Sequence, residues 1–299
     1  MVNLVVTGSI GLDSIRTPFG SVKDILGGAA VYSSIGASFF TNPGIVSVVG
    51  EDFPQEHIEI LKKKNISLEG LKVMPGKTFR WNGYYEYDMN QAHTLNTELN
   101  VFEKFFPEMP DKYKKAEYLY LANISPELQL QVLEELSRKL VGIDTMNFWI
   151  ENSRKKLLEV IKRCNILFIN DAEARELFET PSLVKAGKKV IDMGLHAVVI
   201  KKGEHGSLLF TNGKIFSAPG YPLETIVDPT GAGDTFAGGV MGYIAKTKDF
   251  SDDNIRKAII YGSALASFDV EDFSLGKLMN ISIEDIEKRY GLFKDIVSF

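Results

Sequence analysis

The sequence has little cysteine, no surplus of positive charge and no long apolar run, and each shortage excludes a class of protein. Its one cysteine, Cys164, excludes internal disulfides and is typical of a reducing compartment. The net charge of −5 gives no electrostatic basis for binding nucleic acid or an anionic membrane. No apolar run approaches the roughly 18 residues of a membrane span, and the start "MVNLVVTGSIGLD" lacks the features of a signal peptide. We therefore expect a cytoplasmic globular protein without a nucleic-acid or membrane partner.

Two other patterns are too incomplete to support a metal site or a P-loop. The four histidines, at 57, 93, 196 and 205, lack metal-ligand spacing, and a single cysteine cannot form a zinc site. The segment "GLKVMPGKT" at 70–78 places five residues between its glycines, which is too many for a P-loop. We reject both interpretations.

Short apolar segments alternate with amphipathic ones along the chain. Continuous apolar runs of a few residues are typical of strands that are buried on both faces of a sheet, and helical spacing marks the segments between them. The predicted strands are 3–6, 118–122, 140–144, 166–170 and 197–201, and the predicted helices are 125–140, 151–164 and 182–194. This alternation predicts an α/β fold with a central, mostly parallel sheet flanked by helices, in one domain over 1–299.

The predicted strands end in polar or small residues. These residues are Gly8, Asn123, Asp144, Asn170 and Lys201. Ligands of open parallel sheets bind outside the carboxyl ends of the strands, so these positions indicate a binding edge. The indication is weak by itself, because strands end in polar residues for purely structural reasons as well.

Two stretches depart from the alternation. Residues 13–28 and 77–100 lack a helical pattern, and the second is rich in aromatic residues, threonine and asparagine. The segment "WNGYY" at 81–85 has the composition of a turn. We interpret both stretches as antiparallel strands outside the main sheet that form a small lid, with an ordinary surface hairpin as the alternative.

The segment "DPTGAGD" at 228–234 places a carboxylate beside a glycine turn, where apolar helical spacing begins. Gly231 and Gly233 allow backbone conformations that other residues resist. The free N–H groups and the dipole of a helix that begins near Asp234 would favour an anion such as phosphate. Asp234 would either cap that helix or accept a proton from an attacking hydroxyl, and the residues alone leave both interpretations open.

Several motifs resemble those of the ribokinase/PfkB family of carbohydrate and nucleoside kinases. The segment "DPTGAGDTFAGG" at 228–239 resembles the family's C-terminal signature, which is long and specific. The other landmarks, in chain order, are "GSIGLD" (8–13), "LGGAAVYSSIGAS" (26–38), "VVGEDF" (48–53), "NDAE" (170–173) and "KKGEHGS" (201–207). The resemblance covers almost the whole chain and implies a ribokinase-like α/β fold with a small β-lid from about 13–28 and 77–100.

The resemblance also implies roles in phosphate transfer from ATP. Asp234 would be the catalytic base, and Gly231, Ala232 and Gly233 would form the anion hole over the transferring phosphate. Asn170 and Glu173 would organise Mg²⁺ and the phosphates, mostly through water, and Gly203 and Gly206 would shape the nucleotide loop. Asp13, Gly27 and Gly28 would bind the acceptor, and Asp228 and Thr230 would bind a monovalent cation.

Tyr32 departs from the family pattern. Family members usually carry an asparagine at this place, where it contacts substrate hydroxyls, and a phenol cannot reproduce the paired donor and acceptor of an amide. Tyr32 would therefore bind an unusual acceptor, or pack internally and leave the contact to Ser33 or Asn123. Lys201 is a smaller departure, since many members have threonine there; its ammonium would meet a nucleotide phosphate or lie in solvent.

We predict an ATP-dependent kinase that uses Mg²⁺ and phosphorylates a hydroxyl of a small sugar-like acceptor, with K⁺ as a further candidate cofactor. One alternative is a nucleoside kinase, because the lid aromatics Phe79, Trp81, Tyr84 and Tyr85 could stack on a base. The other alternative is a non-catalytic sugar or nucleotide sensor on the same fold.

Two further expectations concern the lid. Asp13 should lie at the carboxyl end of the first strand and face the acceptor, while Trp81 and Tyr84 approach the acceptor from the opposite side. A homodimer formed through the lid is the expected form of self-association.

Overall fold

The computed structural model describes residues 2–135 and 139–298, and these form thirteen strands in two sheets. In chain order the strands are β1 (Leu4–Thr7), β2 (Gly11–Thr17), β3 (Gly20–Gly27), β4 (Pro43–Gly50), β5 (Ser67–Met74), β6 (Phe79–Tyr84), β7 (His93–Glu98), β8 (Tyr118–Leu121), β9 (Leu140–Ile143), β10 (Ile166–Asn170), β11 (Ala197–Lys201), β12 (Ser207–Thr211) and β13 (Lys214–Ala218).

The helices alternate with these strands along much of the chain. They are α1 (Ala29–Ser38), α2 (Gln55–Lys63), α3 (Pro126–Glu135), α4 (Asn147–Asn152), α5 (Arg154–Ile161), α6 (Asp171–Phe178), α7 (Leu183–Asp192), α8 (Ala232–Thr247), α9 (Asp252–Asp269) and α10 (Ile283–Val297). The helix predicted at 125–140 is α3, and 136–138 lie outside the described residues. The helix predicted at 151–164 is divided between α4 and α5 at Ser153.

The large sheet has the order β13-β12-β11-β10-β9-β8-β1-β4-β5. All neighbouring strands from β11 to β5 are parallel, and β12 and β13 are added antiparallel at one edge. The predicted mostly parallel sheet is therefore present. The sequence patterns predicted five of its strands and missed the others, including β4, which is buried along its whole length.

Helices cover both faces of the large sheet. Alternate residues of β1 enter opposite cores: Leu4 and Val6 pack with α1, α8, α9 and α10, whereas Val5 packs on the side of α5, α6 and α7. This double burial explains why the strand sequences are continuously apolar.

The second sheet has the order β3-β2-β6-β7 and lies at the positions predicted for the lid. The prediction of purely antiparallel strands is wrong, because β2 pairs parallel with β6. The predicted turn at 81–85 is also wrong: Trp81 to Tyr84 lie inside β6, and the connection to β7 follows it. Gly83 is needed there for packing, since a Cβ would overlap the indole ring of Trp81.

Glycines bring α1 and α8 into backbone contact. A Cβ on Gly36 would lie 2.5 Å from the carbonyl oxygen of Thr235, and one on Gly242 would lie 2.7 Å from the Cα of Ala37. A Cβ on Gly238 would overlap the carbonyl oxygen of Ser33. These contacts compensate for the low helix propensity of glycine inside α8.

The substitution Gly238→Ala tests this contact. Because the obstructing atom belongs to the backbone of α1, the helices must separate, and we expect a loss of about 2–3 kcal/mol in the free energy of unfolding. The matched control is Gly291→Ala in α10, where a Cβ meets no atom within 4 Å. That change should stabilise the protein by roughly 0.5–1 kcal/mol through helix propensity. Urea unfolding measures both values, and equal effects at the two positions would contradict the packing argument.

Candidate functional site

The carboxyl ends of β9, β10 and β11 bring three predicted strand-end residues together. These residues are Asp144, Asn170 and Lys201, and they follow or end adjacent parallel strands. The Lys201 ammonium lies 2.6 Å from Oδ2 of Asp144, which also accepts a hydrogen bond of 3.1 Å from the hydroxyl of Tyr120. Lys201 is therefore held at the sheet edge by an ion pair and does not extend into solvent.

Asp144 was missed as a site residue, although it was recognised as a strand end. Asp144 is 3% exposed, and its backbone carbonyl accepts a hydrogen bond from the side-chain amide of Gln129. The only available signal was its position after a buried strand. Its partner, Lys201, lies two strands away in the sheet and is 57 residues distant in sequence.

The turn before α8 has the geometry expected of an anion-binding helix start. Gly231 is the N-cap residue with φ of 85°, a left-handed conformation that favours glycine, and its carbonyl accepts the Thr235 N–H at 2.8 Å. The helix begins at Ala232, so Asp234 lies in the first turn and is not the capping residue. The capping interpretation of Asp234 is therefore wrong, and its carboxylate is available for another role.

Asp234 and Lys201 both lie close to this turn. The pKa of Asp234 is raised to about 7, mainly by burial and also by the carboxylate of Asp144, while the Lys201 ammonium acts to lower it. A Cβ on Gly233 would lie 3.3 Å from Nζ of Lys201. The helix start thus has a buried carboxyl group and an ammonium in its immediate surroundings, which suits proton acceptance beside a bound phosphate.

Asn170 and Glu173 form a reciprocal capping box at the start of α6. Asn170 Oδ1 accepts the Glu173 N–H at 2.8 Å, and Glu173 Oε2 accepts the Asn170 N–H at 2.9 Å. The pKa of Glu173 is raised to about 7, mainly by burial; Lys201 acts to lower it, and the carboxylate of Asp144 acts to raise it. Glu173 thus belongs electrostatically to the same cluster as Asp234.

A cavity of about 620 Å³ extends from Lys201 and Gly233 to the predicted nucleotide loop. Gly203 and Gly206 both line it, and a Cβ on Gly206 would overlap the carbonyl oxygen of Ala218. Its lining also includes apolar residues, namely Pro222, Leu223, Ile226, Phe236, Ala266 and Val270. A cavity that combines an ammonium and a helix start with apolar lining fits a nucleotide, whose phosphates and base need these two environments.

The tip of the lid contacts the nucleotide loop. Asn90 follows β6 in the connection to β7, and its Oδ1 accepts the backbone N–H of Glu204 at 3.4 Å. A Cβ on Gly203 would overlap this amide oxygen. Tyr87 and Asp88 line the cavity beside Asn90, so the lid closes one side of the nucleotide cavity.

Asp13 lies in the lid and not at the end of the first strand, which corrects the sequence-based expectation. β1 ends at Thr7, and Asp13 belongs to β2, where it pairs directly with Trp81 of β6. Asp13 and Trp81 therefore do not approach an acceptor from opposite sides. The expected neighbours are nevertheless present, because a Cβ on Gly27 would overlap Oδ2 of Asp13 and the backbone of Gly28 is hydrogen-bonded to the Asp13 carboxylate.

Asp13 belongs to a buried group of carboxylates. It is 4% exposed, and its Oδ1 makes no hydrogen bond within the described residues. Its pKa is raised to about 7, mainly by burial and also by the carboxylate of Asp228, while a hydrogen bond with the Gly28 backbone acts to lower it. An unpaired carboxylate oxygen beside a glycine turn is suited to accept a hydrogen bond from a ligand hydroxyl.

The predicted cation residues are joined to the lid. Asp228 Oδ1 accepts the Thr230 N–H at 2.9 Å, and its Oδ2 accepts the Ser274 N–H at 3.3 Å. The hydroxyls of Thr230 and Tyr85 share a hydrogen bond of 3.3 Å. Tyr85 was considered only as a stacking aromatic, and the contact that it makes here had no signal in the sequence.

The other lid aromatics, which could stack on a base, contact neighbouring residues in and beside the lid. The Trp81 indole N–H donates to Thr94 at 3.1 Å, and the Tyr84 ring stacks on His93 with 4.8 Å between ring centroids. Phe79 lies 5.8 Å from Phe102, measured between centroids.

Tyr32 and Asn123, predicted to bind the acceptor, make internal contacts. Tyr32 is 1% exposed, and its ring lies against Gly231, where a Cβ would overlap three of the ring carbons. Asn123 accepts the Trp149 indole N–H at 2.9 Å, and its amide group donates to Met146 Sδ at 3.0 Å. The geometry supports the packing alternative for Tyr32.

Within the described residues, no helix combines the length and the hydrophobicity that crossing a bilayer requires.

Three comparisons with known proteins bear on this site. The model of the pfkB family of carbohydrate kinases matches residues 9–280. A cytidine kinase of Thermococcus kodakarensis is 32% identical over 251 residues, which cover 81% of this chain and 89% of that protein. The crystal structure of Methanocaldococcus jannaschii nucleoside kinase, a ribokinase-family member, aligns with a TM-score of 0.78 at 22% identity, over 97% of this chain and 99% of the other.

A candidate ribokinase II from E. coli, in complex with ATP and Mg²⁺, aligns with a TM-score of 0.80 at 17% identity, over 98% of this chain and 100% of the other. The predicted ribokinase-like α/β fold, with a large mostly parallel sheet and a small second sheet, is confirmed. The chain therefore belongs to the pfkB family of carbohydrate kinases, and it is a kinase of a sugar or a nucleoside.

Proposed function

We propose that this kinase transfers the terminal phosphoryl group of ATP to a hydroxyl of a nucleoside. The observation that carries the phosphotransfer is the α8 start, where Asp234, the glycine turn and Lys201 meet at one end of the nucleotide-shaped cavity. The acceptor class rests on the cytidine kinase relative, which is similar over 81% of this chain. The sequence alone favoured a sugar.

In the proposed reaction Asp234 accepts the proton of the attacking acceptor hydroxyl. The hydroxyl oxygen forms a bond to the terminal phosphorus of ATP, the bond from that phosphorus to the bridging oxygen breaks, and ADP leaves with the electron pair. The backbone N–H groups at the start of α8 and the Lys201 ammonium stabilise the negative charge on the transferring group. Asp144 holds Lys201 in place for this contact.

The residues present fit a magnesium ion that is bound mainly by the nucleotide. Within the described residues, no group of three or more His, Cys, Asp and Glu side chains could hold a metal ion. Mg²⁺ commonly binds through substrate phosphates, waters and one or two carboxylates, so such a group is not required. Glu173, with Asn170 beside it, would contact the water shell of the ion, which neutralises charge on the phosphates.

Asp228 and Thr230 would hold a monovalent cation such as K⁺. Asp228 is 1% exposed, and its oxygens accept hydrogen bonds from Thr230 and from the backbone N–H of Ser274. Burial raises the pKa of Asp228, and a cation beside it would compensate for the missing water. Asp13, Gly27 and Gly28 would bind the acceptor from the lid side.

A sugar is the second candidate acceptor, because the matching family is one of carbohydrate kinases. The two candidates differ in the size of the acceptor and not in the chemistry at Asp234. Both require the same proton transfer and the same anion hole.

A substrate panel decides between the two acceptors. The protein is incubated with MgATP and either cytidine, uridine, adenosine, inosine or guanosine, or ribose or fructose, and ADP formation is measured together with the ³¹P spectrum of the product. We expect the best nucleoside to exceed the best sugar in kcat/KM by at least about tenfold, a ratio that one extra set of base contacts can supply. A preferred sugar would establish the second candidate instead.

The substitution Asp234→Asn removes the proton acceptor and keeps the size of the side chain. Loss of a general base costs about 10²–10⁴-fold in rate, and we expect a decrease of kcat in this range with little change in nucleotide affinity. The control is Asp253→Asn on the exposed side of α9, which should leave kcat unaltered. A variant at 234 that keeps most of its turnover would remove Asp234 from the chemistry.

The raised pKa of Asp234 predicts the direction of the pH dependence. The base acts as the carboxylate, and its pKa of about 7 means that protonation removes the active form as the pH falls. We expect kcat/KM to decrease from about pH 8 to about pH 6, whereas an ordinary aspartate would leave it flat in this range. Asp13 and Glu173 titrate in the same direction. The measurement uses saturating Mg²⁺ and constant ionic strength, and a flat profile would contradict the burial argument.

A further inference from the structure

Tyr32 connects the two glycine turns of the site. It lies in the first turn of α1, and its backbone N–H donates to the carbonyl of Gly28 at 3.2 Å. Gly28 is the N-cap of α1 and belongs to the turn beside Asp13. The side chain of the same residue extends to the start of α8. One residue therefore contacts both the acceptor turn and the anion hole.

The contact with the anion hole is made by the face of the ring. A Cβ at Gly231 would overlap Cγ, Cδ1 and Cε1 of Tyr32, so the glycine backbone rests directly on the ring. Gly231 has φ of 85°, and the amides that follow it open α8. A rigid ring beneath a backbone in this conformation limits its movement, because the glycine itself has no side chain to restrict it.

The hydroxyl of Tyr32 does not explain why a tyrosine is present. It has no partner at hydrogen-bonding geometry within the described residues; Ser274 lies close enough to act on its pKa, but the Ser274 hydroxyl donates to the carbonyl of Leu26 at 2.7 Å. Burial, followed by the carboxylates of Asp269 and Asp13, raises the pKa of Tyr32 well above its ordinary value, so the phenol stays neutral. With 1% of the residue exposed, an acceptor cannot reach the hydroxyl.

We propose that Tyr32 is a positioning residue for phosphoryl transfer, whose ring holds Gly231 and fixes the anion hole relative to the Gly28 turn. The proposal rests on the proposed function of the α8 start. Tyr32 touches neither substrate; it acts through the two turns that would hold the acceptor and the transferring phosphate. Because a misplacement of about 1 Å can cost about 10²-fold in rate, a support of this kind affects turnover before it affects binding.

The test compares Tyr32→Leu, which removes the flat ring, with Tyr32→Phe, which keeps it. We expect Tyr32→Leu to lower kcat by about 10–100-fold, with the KM values of ATP and acceptor changed by less than about threefold. Tyr32→Phe should retain most of the wild-type turnover. If the leucine variant does not fold, Tyr32→Met replaces it, since methionine fills similar space without a flat face.

The matched control is Tyr118→Leu. Tyr118 is also 1% exposed with an unpartnered hydroxyl, but it is the first residue of β8 and so lies at the amino ends of the parallel strands, away from the site. Its loss should lower the melting temperature to a similar extent and leave kcat near the wild-type value. Equal decreases of kcat at positions 32 and 118 would show that Tyr32 has only a general packing role and would overturn the proposal.

Amide hydrogen exchange of the peptide that covers 229–236 gives a readout that does not need turnover. We expect faster exchange there in Tyr32→Leu than in Tyr118→Leu or the wild type, and unchanged exchange would overturn the proposal. A wild-type protein that phosphorylates no acceptor of the panel would refute the proposed function, while this exchange result still decides the role of the ring. A loss of acceptor affinity in Tyr32→Phe would instead assign the hydroxyl to acceptor binding and overturn the proposal.

Discussion

Backbone contact between α1 and α8 is the constraint on which the geometry of the site depends. Gly36 and Gly238 place each helix against carbonyl oxygens of the other, so no flexible side chain separates them. α1 begins at the Gly28 turn, and α8 begins at Gly231. Because close-packed backbones cannot yield by changing rotamers, the two turns are kept at one separation. A base, an anion hole and an acceptor turn can act on the same reacting atoms only if that separation is constant.

The site concentrates more negative than positive charge in the protein interior. Asp13, Glu173 and Asp234 all have pKa values raised to about 7, with burial as the main cause. A carboxyl group with a raised folded pKa loses its stabilising effect as the pH rises from the unfolded pKa of about 4 towards 7. At neutral pH these groups therefore destabilise the ligand-free fold. A cation bound beside these carboxylates would relieve this cost, which would link the stability of the fold to occupancy of the site.

The small lid sheet and the connection that follows β6 contact three separate parts of the rest of the protein. Asp13 accepts a hydrogen bond from the backbone of Gly28 at the start of α1, Tyr85 shares a hydrogen bond with Thr230, and Asn90 accepts one from the nucleotide loop. These contacts come from β2 and from the connection between β6 and β7. A movement of the sheet would thus change the surroundings of the acceptor turn and of the nucleotide cavity together.

The sequence by itself determined much of the strand–helix alternation and the position of the lid, and it marked the glycine-rich segments that open α1 and α8, because buried strands are continuously apolar and these segments are long and specific. It did not determine which residues meet. Asp13 was placed on the wrong element, since β1 ends at Thr7 and a second strand, β2, begins at Gly11 after a connection of only three residues. The Asp144–Lys201 pair, the contact of Tyr85 with Thr230 and the ring of Tyr32 beneath Gly231 join residues that are far apart in sequence. Tertiary packing alone decided these contacts, because they depend on distances between elements, and local sequence patterns carry no record of such distances.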